Sequence, residues 1–392
     1  MPFYSRRVET FGTTIFTEIN NLAQQYNALN LGQGRPDFDT PPAIVEQVTV
    51  ALHDGLHNQY APGPGTAELR HAVAEHARRF YGLDIDPLHG VVVTSGATEG
   101  LLACILGLVD PGDEVIVIEP FYDCYVPDII MAGATPVFVP LHPPTWTFDE
   151  AELRAAFTAR TRAIIINTPH NPTGRVFTRE ELTLLSELCI EHDVTVILDE
   201  VYEHLTLNAA QYLHIATLPG MFERTVAVSS SGKSFSATGW KIGWVYGHPD
   251  VLDGVARAHQ FITFAVHHPT QPGVAYALNM PDSYFQQFRT MYEAKVQLLM
   301  RALAGSGLKY SEPQGTYFIL TDFSEVFQGM PMEFARFLIQ QIGVACIPLE
   351  TMYSAEHIHI GKDYVRFSFC KTDEALLAAQ EPLAKLAQYV RA

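Results

Sequence analysis

The segment 230–241 of this 392-residue chain combines groups that could carry covalent amine chemistry. It reads SSGKSFSATGWK, with Lys233 placed after an apolar run at 225–228 and a second lysine, Lys241, eight residues later. An amine at the end of a buried strand is partly removed from water, and a desolvated lysine readily forms a Schiff base with a carbonyl. The neighbouring hydroxyls, Ser230 among them, and the second cation could hold a phosphate. The segment therefore predicts a Schiff-base lysine beside a phosphate site.

A nucleotide-binding P-loop is the main alternative for the same letters, because that motif also ends in GKS. It requires a glycine five residues before Gly232, where this chain has Ala227. It must also open a helix directly, whereas the letters ATGW at 237–240 interrupt one. Nucleotide binding is therefore disfavoured, and a lysine in a polar surface loop remains the second alternative.

Seven apolar runs alternate with helical patterns in the middle of the chain. They lie at 91–93, 115–118, 136–139, 163–166, 194–198, 225–228 and 242–246. Nearly continuous apolar strands with helices between them predict an α/β fold, a mainly parallel seven-stranded sheet with helices on both faces. Ligands bind at the carboxyl ends of strands in such sheets, and the polar motifs of this chain follow the apolar runs directly.

The pattern changes after residue 280. A long helical pattern at 284–303 precedes strand-like runs near 317–320 and 365–369, which predicts a smaller α+β domain. We expect an N-terminal arm, 1–42, that packs with this small domain, a large cofactor domain at 43–280, and the small domain at 281–392. The pair of prolines at 41–42 marks the crossing into the large domain.

Composition excludes several classes of partner. Lysine and arginine number 25 against 43 acidic residues, so the net charge of −18 argues against nucleic acid and anionic membranes. No apolar run is long enough to span a membrane, and no secretory signal is evident. Five scattered cysteines without a Cys-x-x-Cys pair indicate reduced thiols and a cytoplasmic location. The closest histidine pairs, His357 with His359 and His267 with His268, lack the spacing of a zinc motif, so we expect no metal.

Four further segments supply polar groups in the same chain order as a known family. A small-residue turn, GATEG at 96–100, opens a helix and leaves backbone N–H groups free for phosphate. Asn171 lies in a rigid NTPHNPTG turn, Asp199 follows a buried strand, and Arg366 lies inside an apolar strand. With segment 230–241, these motifs resemble the pyridoxal-phosphate-dependent aminotransferases of fold type I. The resemblance runs from Gly32 to Phe369 and implies an aspartate-aminotransferase-like fold.

The resemblance implies roles at the cofactor ring. Lys233 would form the internal aldimine with pyridoxal 5′-phosphate and later carry the proton between Cα and C4′. Asp199 would hold the pyridine nitrogen protonated, which makes the ring an electron sink. Tyr202 and Asn171 would hydrogen-bond the phenolic oxygen, and Tyr122 would lie on the face of the ring.

The phosphate and the second subunit are assigned in the same way. The resemblance places the phosphate among Gly96, Ala97, Thr98, Ser230 and Lys241. In the family, a tyrosine before a glycine-rich turn reaches the phosphate of the neighbouring subunit. Tyr60 occupies that position here, which implies a homodimer with shared active sites.

The substrate side of the site centres on Arg366. A buried guanidinium is costly unless it pairs with an anion, and bidentate capture of a substrate α-carboxylate would satisfy it. By resemblance, the N–H of Gly34 and the amide of Asn171 meet the same carboxylate, and Phe16 lines an apolar pocket. Arg35 stands where relatives usually have phenylalanine, so it either adds a second anion site or faces solvent.

The most similar sequence motifs are those of kynurenine, glutamine–phenylpyruvate and methionine aminotransferases. We therefore expect a transaminase with a ping-pong cycle, in which a large neutral amino acid donates its amine and a 2-oxo acid collects it. Methionine, phenylalanine, tyrosine, glutamine and kynurenine are the expected donors. Two alternatives remain: a carbon–sulfur β-lyase acting on cysteine conjugates or cystathionine, and a non-catalytic regulatory scaffold. The scaffold would need a DNA-binding module, for which the chain has no spare length or basic patch.

Overall fold

The computed structural model describes residues 3–390, so 1–2 of the predicted arm and 391–392 of the predicted small domain lie outside the described residues. The strands are β1 Leu29–Asn30, β2 Val91–Thr94, β3 Glu114–Glu119, β4 Thr135–His142, β5 Thr147–Phe148, β6 Thr161–Asn167, β7 Thr195–Asp199, β8 Thr225–Ser230, β9 Gly243–Gly247, β10 Lys309–Tyr310, β11 Phe318–Asp322, β12 Val344–Ala345, β13 Ile347–Pro348 and β14 Tyr364–Ser368.

The α-helices are α1 Ile15–Gln25, α2 Pro42–His53, α3 Ala67–Tyr81, α4 Gly96–Leu108, α5 Tyr125–Ala132, α6 Glu150–Ala156, α7 Arg179–Glu191, α8 Ser231–Ser234, α9 Pro249–Ile262, α10 Thr270–Leu278, α11 Asp282–Ala304, α12 Pro331–Phe337, α13 Asp373–Ala378 and α14 Gln380–Ala384. A π-helical turn continues α12 over Leu338–Ile342. Short 3₁₀ turns lie at Arg6–Val8, Ile215–Thr217, Phe222–Arg224, Thr238–Trp240, Leu349–Met352 and Lys385–Tyr389.

The large sheet has the order β2-β9-β8-β7-β6-β3-β4-β5. The pairs from β8 through β7, β6 and β3 to β4 are parallel, whereas β9 runs antiparallel between β8 and β2. The seven strands expected from the apolar runs are therefore confirmed. The eighth, β5, is a two-residue antiparallel addition to the edge that the sequence pattern did not predict.

Both faces of this sheet are buried, which explains its nearly unbroken apolar strands. Along β3, Ile116 and Ile118 join one core, and Val115 and Val117 join the core on the opposite face. Helices α3 and α7 contribute to the first core, and α4, α5 and α9 contribute to the second. Because side chains alternate between faces of a strand, two covered faces require apolar residues at successive positions.

One smaller sheet follows the predicted change of pattern after residue 280, and another joins the start of the chain to that region. An antiparallel sheet of order β10-β11-β14-β13 contains the two expected strands, and the expected long helix is α11. Near the start of the chain, β1 pairs in parallel with β12. The boundaries at 42 and 280 remain predictions.

The functional residues lie where strands of the large sheet end. Ser95 follows β2, Asn167 and Asp199 are the last residues of β6 and β7, and Ser230 is the last residue of β8. Because β2, β6, β7 and β8 point in the same direction, these four residues share one edge of the sheet. Among residues 3–390, no helix is long and apolar enough to cross a membrane. All five cysteines are free thiols.

Candidate active site

A cavity of about 140 Å³ opens at this carboxyl edge. Ten of the sequence-predicted site residues line it: Gly96, Ala97, Thr98, Tyr122, Asn171, Asp199, Tyr202, Ser230, Lys233 and Lys241. They come from five separate segments of the chain, which the parallel strands bring to one edge. The structure therefore assembles the predicted cofactor residues of one chain around a single space.

Lys233 lies on the short helix α8, one turn beyond the end of β8. Its Nζ is 5.7 Å from the ring centroid of Tyr202 and 5.6 Å from that of Tyr317. Removal from water between these rings lowers the pKa of Lys233 to about 8. About a tenth of the amine is consequently unprotonated at pH 7, which is the nucleophilic form.

Asp199 forms the buried end of the cavity. The hydroxyl of Tyr125 donates to its Oδ2 at 2.5 Å, and the N–H of Val201 donates to Oδ1 at 3.3 Å. Burial raises the pKa of Asp199, whereas the Tyr125 bond acts in the opposite direction. A carboxylate held in this way suits a cationic partner such as a protonated ring nitrogen.

The opposite end of the cavity is built for an anion. The first residues of α4, Gly96, Ala97 and Thr98, present N–H groups that have no carbonyl partner within the helix. Lys241, which adopts a left-handed backbone conformation, places its Nζ 3.4 Å from Oγ1 of Thr98. The start of β9 can lie this close to the first turn of α4 because residue 243 is glycine. A Cβ there would lie 2.5 Å from the carbonyl carbon of Gly96.

Hydrogen bonds behind the cavity wall hold the first turn of α4 in place. Glu99 accepts a hydrogen bond from the N–H of Ser95 at 2.8 Å, and its other oxygen lies 3.0 Å from Nδ1 of His259. The remaining ring nitrogen of His259 lies 3.0 Å from the carbonyl oxygen of Gly63. The N-terminus of α4 is thus tied to α9 and to the glycine-rich loop that follows Tyr60.

Arg366 is 1% exposed, yet it has no carboxylate within 4 Å in the described part of the chain. Its guanidinium donates to Oδ1 of Asn171 at 2.8 Å and to the carbonyl of Gly32 at 3.1 Å. The Nε atom makes no hydrogen bond to any described residue. The cation lies 3.8 Å from the ring centroid of Phe318 and 5.4 Å from that of Phe16. Desolvation lowers the pKa of Arg366 to about 10, so it stays charged at neutral pH.

Asn167 connects the Asp199 end of the cavity to Asn171 and Arg366, and no role was predicted for it from the sequence. Its Nδ2 donates to the carbonyl of Asp199 at 2.9 Å, and its Oδ1 accepts from the N–H of Asn171 at 2.7 Å. Asn171 then reaches Arg366. Asn167, Tyr125 and Tyr317 were missed as site residues because their roles depend on partners far away in sequence; the only local signal was the position of Asn167 at a strand end.

Gly34 and Arg366 lie against Phe318, and Phe16 faces Arg366, but none of these residues lines the cavity. A Cβ at Gly34 would be 2.5 Å from Cζ of Phe318, and the carbonyl of Gly34 accepts from Tyr317 at 2.7 Å. Phe16 is half-buried on α1. Two other residues lie outside the cavity: the side chain of Arg35 is exposed, and Tyr60 is 84% exposed.

Comparison with known proteins identifies the family. The profile of Aminotransferase class I and II matches residues 26–381. The chain belongs to this family. Aminotransferases of this class use pyridoxal phosphate, so the chain is a pyridoxal-phosphate-dependent aminotransferase.

Named relatives match over nearly full length. The aminotransferase is 42% identical over 390 residues to the probable N-succinyldiaminopimelate aminotransferase DapC of Mycobacterium tuberculosis, covering 97% of this chain and 98% of that protein. It is 40% identical to the kynurenine–oxoglutarate transaminase 1 of Homo sapiens, with 97% of each chain covered.

Solved structures confirm the aspartate-aminotransferase-like fold. The N-succinyldiaminopimelate aminotransferase of Mycobacterium tuberculosis superposes with a TM-score of 0.94 at 43% identity, covering 98% of this chain and all of that one. YbdL of Escherichia coli, a methionine aminotransferase, gives a TM-score of 0.94 at 37% identity with the same coverage. An aspartate aminotransferase of Thermus thermophilus gives 0.90 at 31% identity.

The side chains of the aminotransferase fit this cofactor. A planar pyridine ring with a phosphate needs a carboxylate at one end, an anion-binding helix N-terminus at the other and an amine between them. Asp199, the first turn of α4 with Lys241, and Lys233 supply these three groups around one cavity. The donor set therefore agrees with the cofactor that the family uses.

Proposed function

We propose that this aminotransferase transfers the amino group of a large neutral amino acid to a 2-oxo acid. The observation that carries the proposal is the buried guanidinium of Arg366, which faces aromatic rings and has no carboxylate partner among the described residues. A guanidinium in this state binds an external carboxylate with little reorganisation. Every α-amino acid and every 2-oxo acid carries that group.

Each polar side chain then has a task. Arg366 binds the α-carboxylate of the substrate. Asn171, which already accepts a hydrogen bond from the guanidinium, orients that carboxylate from the side. The Nζ of Lys233 takes the α-proton of the donor and returns a proton later, and its lowered pKa matches that work. Phe16 and the ring of Tyr122 exclude water from the reacting carbon.

The cofactor would be held by the residues of the cavity wall. Asp199 would pair with its ring nitrogen, Tyr202 and Asn171 with its phenolic oxygen, and Tyr122 would lie against its face. Gly96, Ala97, Thr98, Ser230 and Lys241 would hold its phosphate. When bound, pyridoxal phosphate supplies an electron sink for the bonds at Cα of the substrate.

The preference for a neutral side chain rests on the cations near the site. In the described range, Lys233 and Lys241 are the cationic residues of the cavity wall, and both have other tasks. The side chain of Arg35 is exposed. A side-chain carboxylate would therefore enter an aromatic region without a cation to pair with it, at a cost in binding free energy.

Two of the relatives support this substrate class, and a third is named for a substrate of different charge. Two of them are named for kynurenine and for methionine, both of which have neutral side chains. The Mycobacterium tuberculosis relative is named for N-succinyldiaminopimelate, whose side chain is anionic at its far end. Arg35, exposed in the same loop as Gly34, is the group that could meet such a distant carboxylate.

The two half-reactions of transamination, measured separately, test the proposed preference for neutral donors. The visible spectrum of the purified chain with pyridoxal phosphate would be recorded before and after single additions of donor, with Lys233→Ala in parallel. Methionine, phenylalanine, kynurenine and glutamine should convert the cofactor to its pyridoxamine form, and a 2-oxo acid should restore the original band. Aspartate and glutamate should act at least about tenfold more slowly at equal concentration.

Three results would contradict the proposal. Faster conversion by aspartate or glutamate would overturn the neutral preference. Exclusive reaction with N-succinyldiaminopimelate, lost in Arg35→Gln, would assign the chain to the substrate of that relative. Release of ammonia and pyruvate from cysteine conjugates, without a 2-oxo acid, would make it a β-lyase.

We also propose that the active protein is a homodimer, in which Tyr60 serves the neighbouring site. Tyr60 is 84% exposed and lies edge-on to Phe264, with ring centroids 5.6 Å apart, and nearby Phe261 is 91% exposed. Exposed aromatic clusters of this kind are typical of subunit interfaces. Light scattering should give twice the chain mass of 43.6 kDa, and Tyr60→Phe should weaken cofactor binding.

A cytoplasmic location remains a prediction, supported by the five free thiols.

A further inference from the structure

Three side chains that the proposed function does not use form a compact group behind the active site. His76 lies on α3, and Glu203 and His204 follow Tyr202 in the turn after β7. One ligand atom from each lies within 4.8 Å of the other two. The Nε2 atoms of His76 and His204 are 2.9 Å apart, and Oε1 of Glu203 is 4.0 Å from Nε2 of His204.

The group is buried and its polar atoms are only partly satisfied. His76 and Glu203 are each 6% exposed, and His204 is 4% exposed. Oε1 of Glu203 accepts a hydrogen bond from Ser229 at 3.0 Å, but Oε2 has no partner among the described residues. A buried carboxylate oxygen without a partner is costly, and a cation is the partner that relieves the cost best.

The donor set indicates the kind of cation. Two imidazoles and one carboxylate are ligands of zinc and of similar first-row divalent ions, whereas calcium and magnesium prefer oxygen alone. Bonds of about 2.0–2.1 Å in a tetrahedral site place ligand atoms about 3.3 Å apart. The two histidine nitrogens must therefore move apart by about 0.4 Å, and the carboxylate of Glu203 must approach them by about 0.7 Å or more.

A path for the ion is present. Glu203 and His204 form part of the wall of a cavity of about 310 Å³, which also contacts Tyr212 and Arg289. The same cavity is lined by Gln211 and Glu293, whose side chains are exposed, so it reaches the surface. The cavity supplies both an entry route and room for a water as fourth ligand.

We propose that His76, Glu203 and His204 bind one zinc-like divalent transition-metal ion per chain. The ion joins α3 to the turn that carries Tyr202 and therefore stabilises that edge of the active site. The sequence alone predicted no metal, because its closest histidine pairs lack the spacing of a zinc motif. Here the ligands come from positions 76 and 203–204, which only the packing of α3 against the end of β7 brings together.

Metal titration of the full chain with bound pyridoxal phosphate tests the proposal. The protein would be stripped with a chelator, dialysed and titrated with Co²⁺, whose visible d–d absorption reports coordination, and with Zn²⁺ by calorimetry. We expect one equivalent per chain. His204→Gln and His76→Gln should each weaken binding by at least about 100-fold, since each removes a direct ligand.

The matched control is His267→Gln, which changes an exposed histidine outside the group and should leave the titration unchanged. An ion bound to the cofactor itself would remain in His204→Gln, so that variant separates the two sites. If the histidine variants fail to fold by circular dichroism, Glu203→Gln carries the test, because it keeps the side-chain shape and removes the charge. A wild-type chain that binds neither ion stoichiometrically, or equal binding in wild type and Glu203→Gln, overturns the proposal and leaves the histidine pair as an internal hydrogen bond.

Discussion

The hydroxyl of Tyr125 lies 2.5 Å from Oδ2 of Asp199, and both residues are buried. Tyr125 is the first residue of α5 and Asp199 is the last residue of β7, so the bond joins the helix to the strand end where the cofactor ring is expected. When Asp199 is ionised, this is a charge-assisted hydrogen bond in a site with little water, which is the stronger kind. Tyr125 is therefore a positioning residue for Asp199.

Replacing Tyr125 by phenylalanine should destabilise the cofactor-free protein. Removal of the hydroxyl leaves a buried carboxylate oxygen without a donor, and we expect the free energy of unfolding to fall by about 1–3 kcal/mol. Denaturant unfolding monitored by circular dichroism measures this change. The lost bond should also raise the pKa of Asp199 further, because it favours the charged form.

The control for this prediction is Tyr122→Phe. The ring of Tyr122 packs against Tyr125, with centroids 5.9 Å apart, without bonding to Asp199. In an Asp199→Asn background, Tyr125→Phe should cost less than in the wild type, because the acceptor is no longer charged. Equal costs in both backgrounds would show that the two residues are not coupled.

Arg366→Met separates substrate binding from folding. We expect kcat/KM for amino acid donors to fall by at least about 100-fold, since a charge-assisted contact to the α-carboxylate is lost. The free energy of unfolding should change by less than about 1 kcal/mol, because the loss of the bonds to Asn171 and Gly32 is offset by removal of a buried cation that has no carboxylate partner among residues 3–390. Steady-state kinetics and denaturant unfolding provide the two readouts.

Arg224→Met is the matched control for that variant. Arg224 precedes β8 at the edge of the sheet opposite to the active site and donates to the carbonyl of Gly220 and to Asp193. Its loss should leave kcat/KM unchanged. A large fall in stability with Arg366→Met, matched by loss of the visible cofactor band, would indicate a structural role instead.

Gly243→Ala should weaken cofactor binding. The added Cβ would lie 2.5 Å from the carbonyl carbon of Gly96 and 2.7 Å from the N atom of Ala97, so the phosphate-binding turn must move. We expect the dissociation constant of pyridoxal phosphate to rise at least about tenfold, about 1.4 kcal/mol. Gly239→Ala is the control, because nothing lies within 4 Å of a Cβ there. Equal affinities in the two variants would contradict the prediction.

The pKa of Lys233 predicts a pH-dependent stability. Burial lowers it from 10.5 to about 8, so between pH 8 and 10.5 the unfolded lysine binds more protons than the folded one. The wild-type protein without cofactor should therefore gain stability relative to Lys233→Met as the pH rises through this window. At pH 7 we expect Lys233→Met to be more stable by about 3 kcal/mol, and above pH 10.5 the difference should vanish.

Denaturant unfolding at a series of pH values gives the curve for each protein. Lys385→Met serves as control, because the side chain of Lys385 is largely in solvent and close only to Glu381. It should show no such change across the window. A constant difference between wild type and Lys233→Met at all pH values would mean that the amine is not desolvated.

The sequence predicted most of the large sheet. All seven apolar runs are strands, because strands buried on both faces carry a strong local signal that needs no knowledge of their neighbours. The antiparallel direction of β9 and the short edge strand β5 had no such signal: β9 is as apolar as its parallel neighbours, and β5 has only two residues. Direction and order are decided by how the connections cross the sheet.

The site residues also fall into two groups, those that the sequence identified and those that it did not. Lys233, Asp199 and Asn171 could be found locally, since each lies at or just after the end of a buried run, where parallel sheets bind ligands. Asn167, Tyr125 and Tyr317 could not, because each acts through a bond to a residue or backbone group elsewhere in the chain. Nothing in the neighbourhood of Tyr125 indicates that its hydroxyl faces a carboxylate 74 positions away.

The sequence by itself determined the strands, the polar residues at their ends and the chemistry that these residues can perform. The reason is that apolar runs and residue types are visible in a few consecutive positions of the chain. The tertiary structure alone decided which of these groups meet. It placed Arg366 beside Asn171 with no carboxylate partner among residues 3–390, tied Tyr125 to Asp199, and brought His76 to Glu203 and His204. The physical reason is that hydrogen bonds, ion pairs and ligand sets act over about 3–4 Å, and distances of this kind between distant segments are fixed only by packing.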